Sequence, residues 1–168
     1  MRKWSAVLMI GAALLWAGAQ QVRADDAVVL SGNDLAKVVP AGFYFEGRSG
    51  PTQMRNAGAV RFGANRHLIA ALVDTSGYSS DVQAKYEGFL ISDSKVKLGD
   101  TELSVGAYGF SFTKDGKMNI LDLAGSTLHV LSAMRDDAIR TPQPLTVRKE
   151  GGELRLYRGR SYVVITHK

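Results

Sequence analysis

The chain contains no cysteine. That excludes disulfides, a thiolate nucleophile, cysteine-held zinc and iron–sulfur clusters. Proline is scarce, with four residues, and histidine occurs only at His67, His129 and His167. None of the three lies at metal-ligand spacing from another, so no metal is expected. His67 and His129 read as sheet residues and His167 as a surface residue near the chain end. Three motifs are missing: Gly-x-Ser-x-Gly, Gly-x-x-x-x-Gly-Lys-Ser/Thr and strand-to-helix Gly-x-Gly-x-x-Gly. Serine-hydrolase chemistry and a phosphate cradle therefore have no local signature, and no cofactor is implied. Ser49, Ser104 and Ser126 read as loop, strand and turn residues. The pairs Asp25-Asp26 and Asp136-Asp137 read as solvated carboxylates rather than an acid–base couple.

The N-terminus supplies the first positive signal. Arg2 and Lys3 precede an uncharged stretch from Ala6 to Ala19, followed by Val22-Arg23-Ala24 and then Asp25-Asp26. This is the order of a secretory signal peptide, with cleavage expected between Ala24 and Asp25. The apolar stretch is shorter than the roughly 20 residues of a membrane-spanning helix, and no later stretch is longer. The expected organisation is a signal peptide over 1–24 and one domain over 25–168. The expected location is outside the cytoplasm, periplasmic or secreted. Loss of Arg2, Lys3 and Arg23 lowers the net charge from +5 to +2, and no nucleic-acid partner is expected. Trp4 and Trp16 would leave with the same segment. A body without disulfides must be held by its packed core.

Ser31-Gly32-Asn33-Asp34 offers capping side chains for a short helix over Leu35–Val39, ended by Pro40. Beyond Pro40, short Val-, Ile-, Leu-, Tyr- and Phe-rich runs alternate with Gly, Asp, Asn and Ser. Strands are expected near Gly42–Gly47, Gln53–Phe62, His67–Thr75, Gln83–Ser92, Lys95–Leu98 and Glu102–Thr113. Further strands follow near Lys117–Leu123, Thr127–Met134, Pro144–Lys149, Glu153–Tyr157 and Ser161–Thr166. Lys114-Asp115-Gly116-Lys117 is a hairpin turn, its Asp-Gly pair suited to positive backbone angles. In Glu102–Thr113, Leu103, Val105 and Ala107 have one parity and Phe110 and Phe112 the other. Either a bulge at Gly106–Gly109 turns both sets inward, or the strand is buried on both faces. Ser126–Arg140 is open between a strand and a Ser126-capped helix with Leu128, Leu131 and Met134 on one side.

About ten short strands exceed what a flat sheet accommodates, so closure or splitting is expected. The fold class is all-β: a small antiparallel meander barrel with a short N-terminal helix, or alternatively a β-sandwich. The barrel is similar in outline to the lipocalin-like barrels, an architectural analogy only. Their Gly-x-Trp cue would correspond to Gly42-Phe43-Tyr44, with Arg158 or Arg160 as the late basic residue, and the Trp is missing.

Two binding readings follow. Phe43, Tyr44, Phe45, Tyr86, Tyr108, Phe110 and Phe112 could wall a pocket for a lipid or other amphipathic molecule. Alternatively, Arg148, Lys149, Arg155, Arg158 and Arg160 could form a basic C-terminal face for an anionic envelope component. Residues 140–168 carry a net +5 while 25–139 carry −3. The sequence thus reads as an exported binding or interaction protein. An enzyme reading would require catalytic residues to converge from distant parts of the chain.

Overall fold

The computed structural model describes residues 27–167, of which 60% are strand and 9% helix, arranged as two antiparallel sheets. The expected signal peptide and its cleavage point lie outside the described residues. The chain begins with β1 (Ala27–Leu30), α1 (Gly32–Val38), β2 (Gly42–Phe45), β3 (Arg48–Phe62) and β4 (Arg66–Val73). It continues with α2 (Ser80–Lys85), β5 (Gly88–Ser92), β6 (Val96–Leu98), β7 (Thr101–Leu103), β8 (Gly106–Phe112) and β9 (Lys117–Leu121). It ends with β10 (Thr127–Ser132), β11 (Met134–Arg135), β12 (Gln143–Glu150), β13 (Glu153–Gly159) and β14 (Ser161–His167). Among the described residues no helix is long and apolar enough to cross a membrane.

The first sheet runs β1-β3-β4-β5-β8-β9-β10, with β2 added to β3. The second runs β12-β13-β14-β6-β7, with β11 added to β14. The all-β class is borne out, but the sheets do not close into the expected barrel. They meet at a corner, where β10 pairs with β9 and β11, beginning two residues later, pairs with β14. Across the body, β12 packs against β3 without joining its ladder. A Cβ on Gly58 would lie 2.9 Å from the Val147 backbone nitrogen, so only glycine permits that approach.

The layering follows from β4. Its run His67-Leu-Ile-Ala-Ala-Leu-Val73 has no polar face. Leu68, Ala70 and Leu72 enter the core between the sheets, where they meet Phe110, Leu154, Leu156, Val163 and Ile165. Ile69, Ala71 and Val73 enter a second core on the opposite face, with Phe43, Phe45, Tyr78, Val82, Tyr86 and Phe89. The first sheet is therefore a middle layer, covered on its far side by α2 and by the hairpin that β2 forms with the start of β3, before the register shift between Thr52 and Ala57, while the outer face of the second sheet carries the polar residues of β12–β14.

Several local expectations change. The strand expected from Gln83 begins at Gly88, and α2 precedes it, capped by Ser79, whose hydroxyl accepts from the Val82 amide at 3.5 Å. The expected long strand Glu102–Thr113 is two strands in different sheets, and Val105 between them is 62% exposed. For β8 the two-faced alternative holds. Phe110 faces the core between the sheets, whereas Gly109 faces Phe45 in the other core. Ser126–Arg140 contributes β10 and β11, not a helix. The Asp115-Gly116 hairpin is present, with Gly116 alone at positive φ, 77°. The turn between β2 and β3 holds Glu46 at φ 45° and Gly47 at φ 78°, the paired left-handed angles of a tight hairpin. Glu46 is held by donation of its amide to Leu123 O at 2.9 Å and by an ion pair with Lys85.

Candidate functional site

The seven aromatic residues expected around one pocket divide among three environments. Phe43 stacks on Phe89 at 4.5 Å and Phe45 on Tyr86 at 3.9 Å between ring centres, all in the core outside the first sheet. Phe110 is fully buried in the core between the sheets, and Phe112 meets it edge-on at 6.1 Å. Tyr108 packs against that same core and donates its hydroxyl to Ser104 O at 3.0 Å. Tyr44 faces solvent at 58% exposure. Because the first sheet stands between the two buried groups, the seven do not converge on a single cavity. Burial raises the Tyr86 phenol pKa, and its hydroxyl has no partner.

The basic residues divide as well, by strand parity. On β12 and β13, Leu145, Val147, Leu154 and Leu156 face the core, which turns Arg148, Arg155 and Tyr157 outward. Arg148 and Arg155 are direct cross-strand partners, and Tyr157 pairs with Tyr162 of β14. Two like charges placed opposite each other are unfavourable on their own. The surroundings offset this. The Arg148 guanidinium lies 5.9 Å from the Tyr157 ring centre and that of Arg155 lies 4.5 Å from that of Tyr162. Arg155 also donates to Glu153 at 2.8 Å and to the Tyr157 hydroxyl at 3.3 Å. The Tyr157 hydroxyl in turn donates to Asp136 at 3.1 Å. Burial, the largest influence, raises the Tyr157 phenol pKa.

Arg158 and Arg160 do other work. Arg158 donates to Glu87 at 3.0 Å and to Pro144 O at 3.1 Å, while the second Glu87 oxygen accepts the Phe112 amide at 2.8 Å. Arg158 thus ties β13 to the first sheet. Arg160 donates its Nε to Ile139 O at 3.1 Å and holds the loop before β12. Lys149 is exposed, with the opposite parity to Arg148. The outer side of this sheet therefore carries Arg148, Arg155 and Tyr162 around a buried Tyr157, which is 1% exposed, and Arg158 and Arg160 are bracing residues.

Two surface clefts flank this sheet. One, of about 500 Å³, is bordered by Asp136, Ala138, Ile139, Arg140, Thr141, Gln143, Arg148 and Glu150. The other, of about 570 Å³, lies between the β6–β7 turn and the β10–β11 corner, with Val130 and Met134 on its wall. Arg140 and the tyrosines are site residues that the charge count alone did not single out. The alternation Arg155-x-Tyr157, set against Tyr162 across the Gly159 turn, is the sequence signal that could have found the stack.

His67 donates its backbone amide to Asp93 at 2.6 Å, and its ring Nδ1 lies 3.5 Å from the same carboxylate. His129 is exposed on β10. His167 is not a surface residue. It lies in β14, stacked on Phe62 at 4.4 Å, with both ring nitrogens buried and unpartnered. Burial, then the Arg66 charge, lowers its pKa below the usual 6.5. Among the described residues no three His, Asp or Glu side chains are grouped to hold a metal.

No protein-family model matches the chain, and no curated protein or solved structure matches it either. The functional reading therefore rests on this geometry alone.

Proposed function

We propose that the chain is an exported, non-catalytic interaction protein of the cell envelope that engages an anionic partner through the outer face of its second sheet. The observation that carries this is Arg148, set against the Tyr157 ring, with Arg155 across the strand set against Tyr162 and held beside Glu153 and Asp136. A guanidinium so placed is already oriented, so less side-chain freedom is lost when an anion docks. The core gives further support. Phe110, Leu90, Leu98, Ile120 and Leu156 between the sheets are all fully buried against neighbouring side chains. That packing favours an outward-working protein over a carrier that encloses an amphipathic ligand.

The test is fractionation of cells producing the protein with Arg148→Glu and Arg155→Glu together. The wild type should sediment with envelope material and the double variant should be released. Lys37→Glu, at a solvent-exposed position on α1, should behave as the wild type. A double variant that stays folded by circular dichroism and still sediments would overturn the reading.

A further inference from the structure

Next to the Arg148–Tyr157 stack, the segment joining β11 to β12 folds back and leaves the open cleft of about 500 Å³. This segment is pinned at several points. The Asp136 amide donates to Arg160 O at 2.9 Å, Ala138 N to Asp136 Oδ1 at 3.0 Å, and Arg160 Nε to Ile139 O at 3.1 Å. Asp136 is also engaged by the Tyr157 hydroxyl, at 3.1 Å. The cleft wall is thus built before any ligand arrives. Arg140 and Arg148 border it together with Thr141, Gln143 and the Glu150 carboxylate.

We propose that this cleft is a subsite for an acidic polysaccharide, with the carboxylate of one sugar unit lodged between Arg140 and Arg148. The inference rests on the reading of the outer face given above and names the partner's chemistry. Guanidinium groups match the planar carboxylate through paired N–H donors. Thr141, Gln143 and Glu150 supply the mixed donors and acceptors that sugar hydroxyls require. The composition of the wall argues against other polyanions. Double-stranded DNA presents a charge about every 1.7 Å, and the carboxylates of Asp136 and Glu150 would oppose several of those charges at once. An anionic bilayer would meet the same repulsion. Moreover, among the described residues none of the large exposed apolar side chains, which include Tyr44, Val105 and Val130, borders this cleft to receive acyl chains. A chain bearing spaced carboxylates among many hydroxyls fits both charges of the wall.

The test is affinity electrophoresis and titration calorimetry of the purified protein against polygalacturonate, dextran sulfate and neutral dextran. Polygalacturonate should retard the wild type and the other two should not. Arg140→Ala with Arg148→Ala should weaken polygalacturonate binding at least tenfold at unchanged melting temperature. Arg148→Lys should not restore it. Arg140→Ala alone, on the exposed loop, gives the same reading if the double variant folds poorly. The proposal is overturned if polygalacturonate is ignored, if the arginine variants bind it undiminished, or if dextran sulfate binds equally well. A wild type that sediments with envelope material yet ignores polygalacturonate overturns this subsite and leaves the basic outer face standing.

Discussion

His167 shows how a single side chain can set a property of the whole fold. Its neutral ring is stacked on Phe62 with no partner for either nitrogen, so protonation in the folded state would bury an unpaired charge beside Arg66. Asp93 opposes this without reversing it. The folded pKa lies below 6.5 while the unfolded chain keeps the ordinary value. The unfolded state therefore takes up protons first. Stability should be full above about pH 6.5 and fall as pH drops toward the folded pKa. Thermal melts between about pH 7 and pH 5 should show a steeper loss for the wild type than for His167→Phe, which keeps the stacking and removes the titration. Parallel slopes would refute this account. A second residue makes the opposite kind of prediction. The Tyr86 hydroxyl is buried without a partner against Phe45 and Tyr78. Leaving such a group unsatisfied costs about 1–3 kcal/mol, so Tyr86→Phe should hold or raise the urea midpoint rather than lower it.

Among the elements, the β2–β3 hairpin shows what the sequence could and could not convey. Phe43 and Phe45 alternate with Tyr44, and both are buried on one face. The alternation does not reveal which core receives them. The Phe45 ring occupies the space of a residue-109 side chain, since a Cβ on Gly109 would lie 2.5 Å from it. Gly109→Ala should therefore destabilise the fold by about 1–3 kcal/mol through overpacking, and Phe45→Leu should recover part of that loss in urea unfolding. Equal effects of Gly109→Ala in both backgrounds would mean that the ring is not the obstacle. Strands with one polar face, such as β12 and β13, are legible from parity. For the middle layer the strands are legible but not which core each face enters, because β4 and β8 are buried on both faces and short apolar runs carry no directional signal. The helix α2 is missed for a related reason. Its single buried residue, Val82, leaves no apolar stripe, and only the Ser79 cap announces it. Sheet closure depends on pairing between strands remote in sequence, such as β14 with β6, and periodicity is silent about that.

Across the whole molecule, the C-terminal excess of positive charge separates into arginines that brace the body and arginines that face outward. Charge counting treats Arg148, Arg155, Arg158 and Arg160 alike, whereas strand parity and the loop contacts separate them. Arg158 spans to Glu87, whose other oxygen holds the Phe112 amide, so one carboxylate links β13 to the entrance of β5 and the end of β8. The pair is about one-third exposed on the arginine side, which reduces its worth by screening. Arg158→Ala should cost about 1–2 kcal/mol in urea unfolding, the lower end of the roughly 1.5–3 kcal/mol of hydrogen bonds to charged groups, reduced by that screening. Arg158→Glu should cost more, because it sets a second carboxylate against Glu87. Arg148→Glu should do the reverse. It replaces a like-charged cross-strand neighbour of Arg155 with an opposite charge, so the melting temperature should hold or rise while envelope association is lost. Stability and association would then move independently along strands only a few ångströms apart. If Arg148→Glu lowers stability as far as Arg158→Glu does, or if Arg158→Ala releases the protein from the envelope without destabilising it, this division of the arginines is wrong.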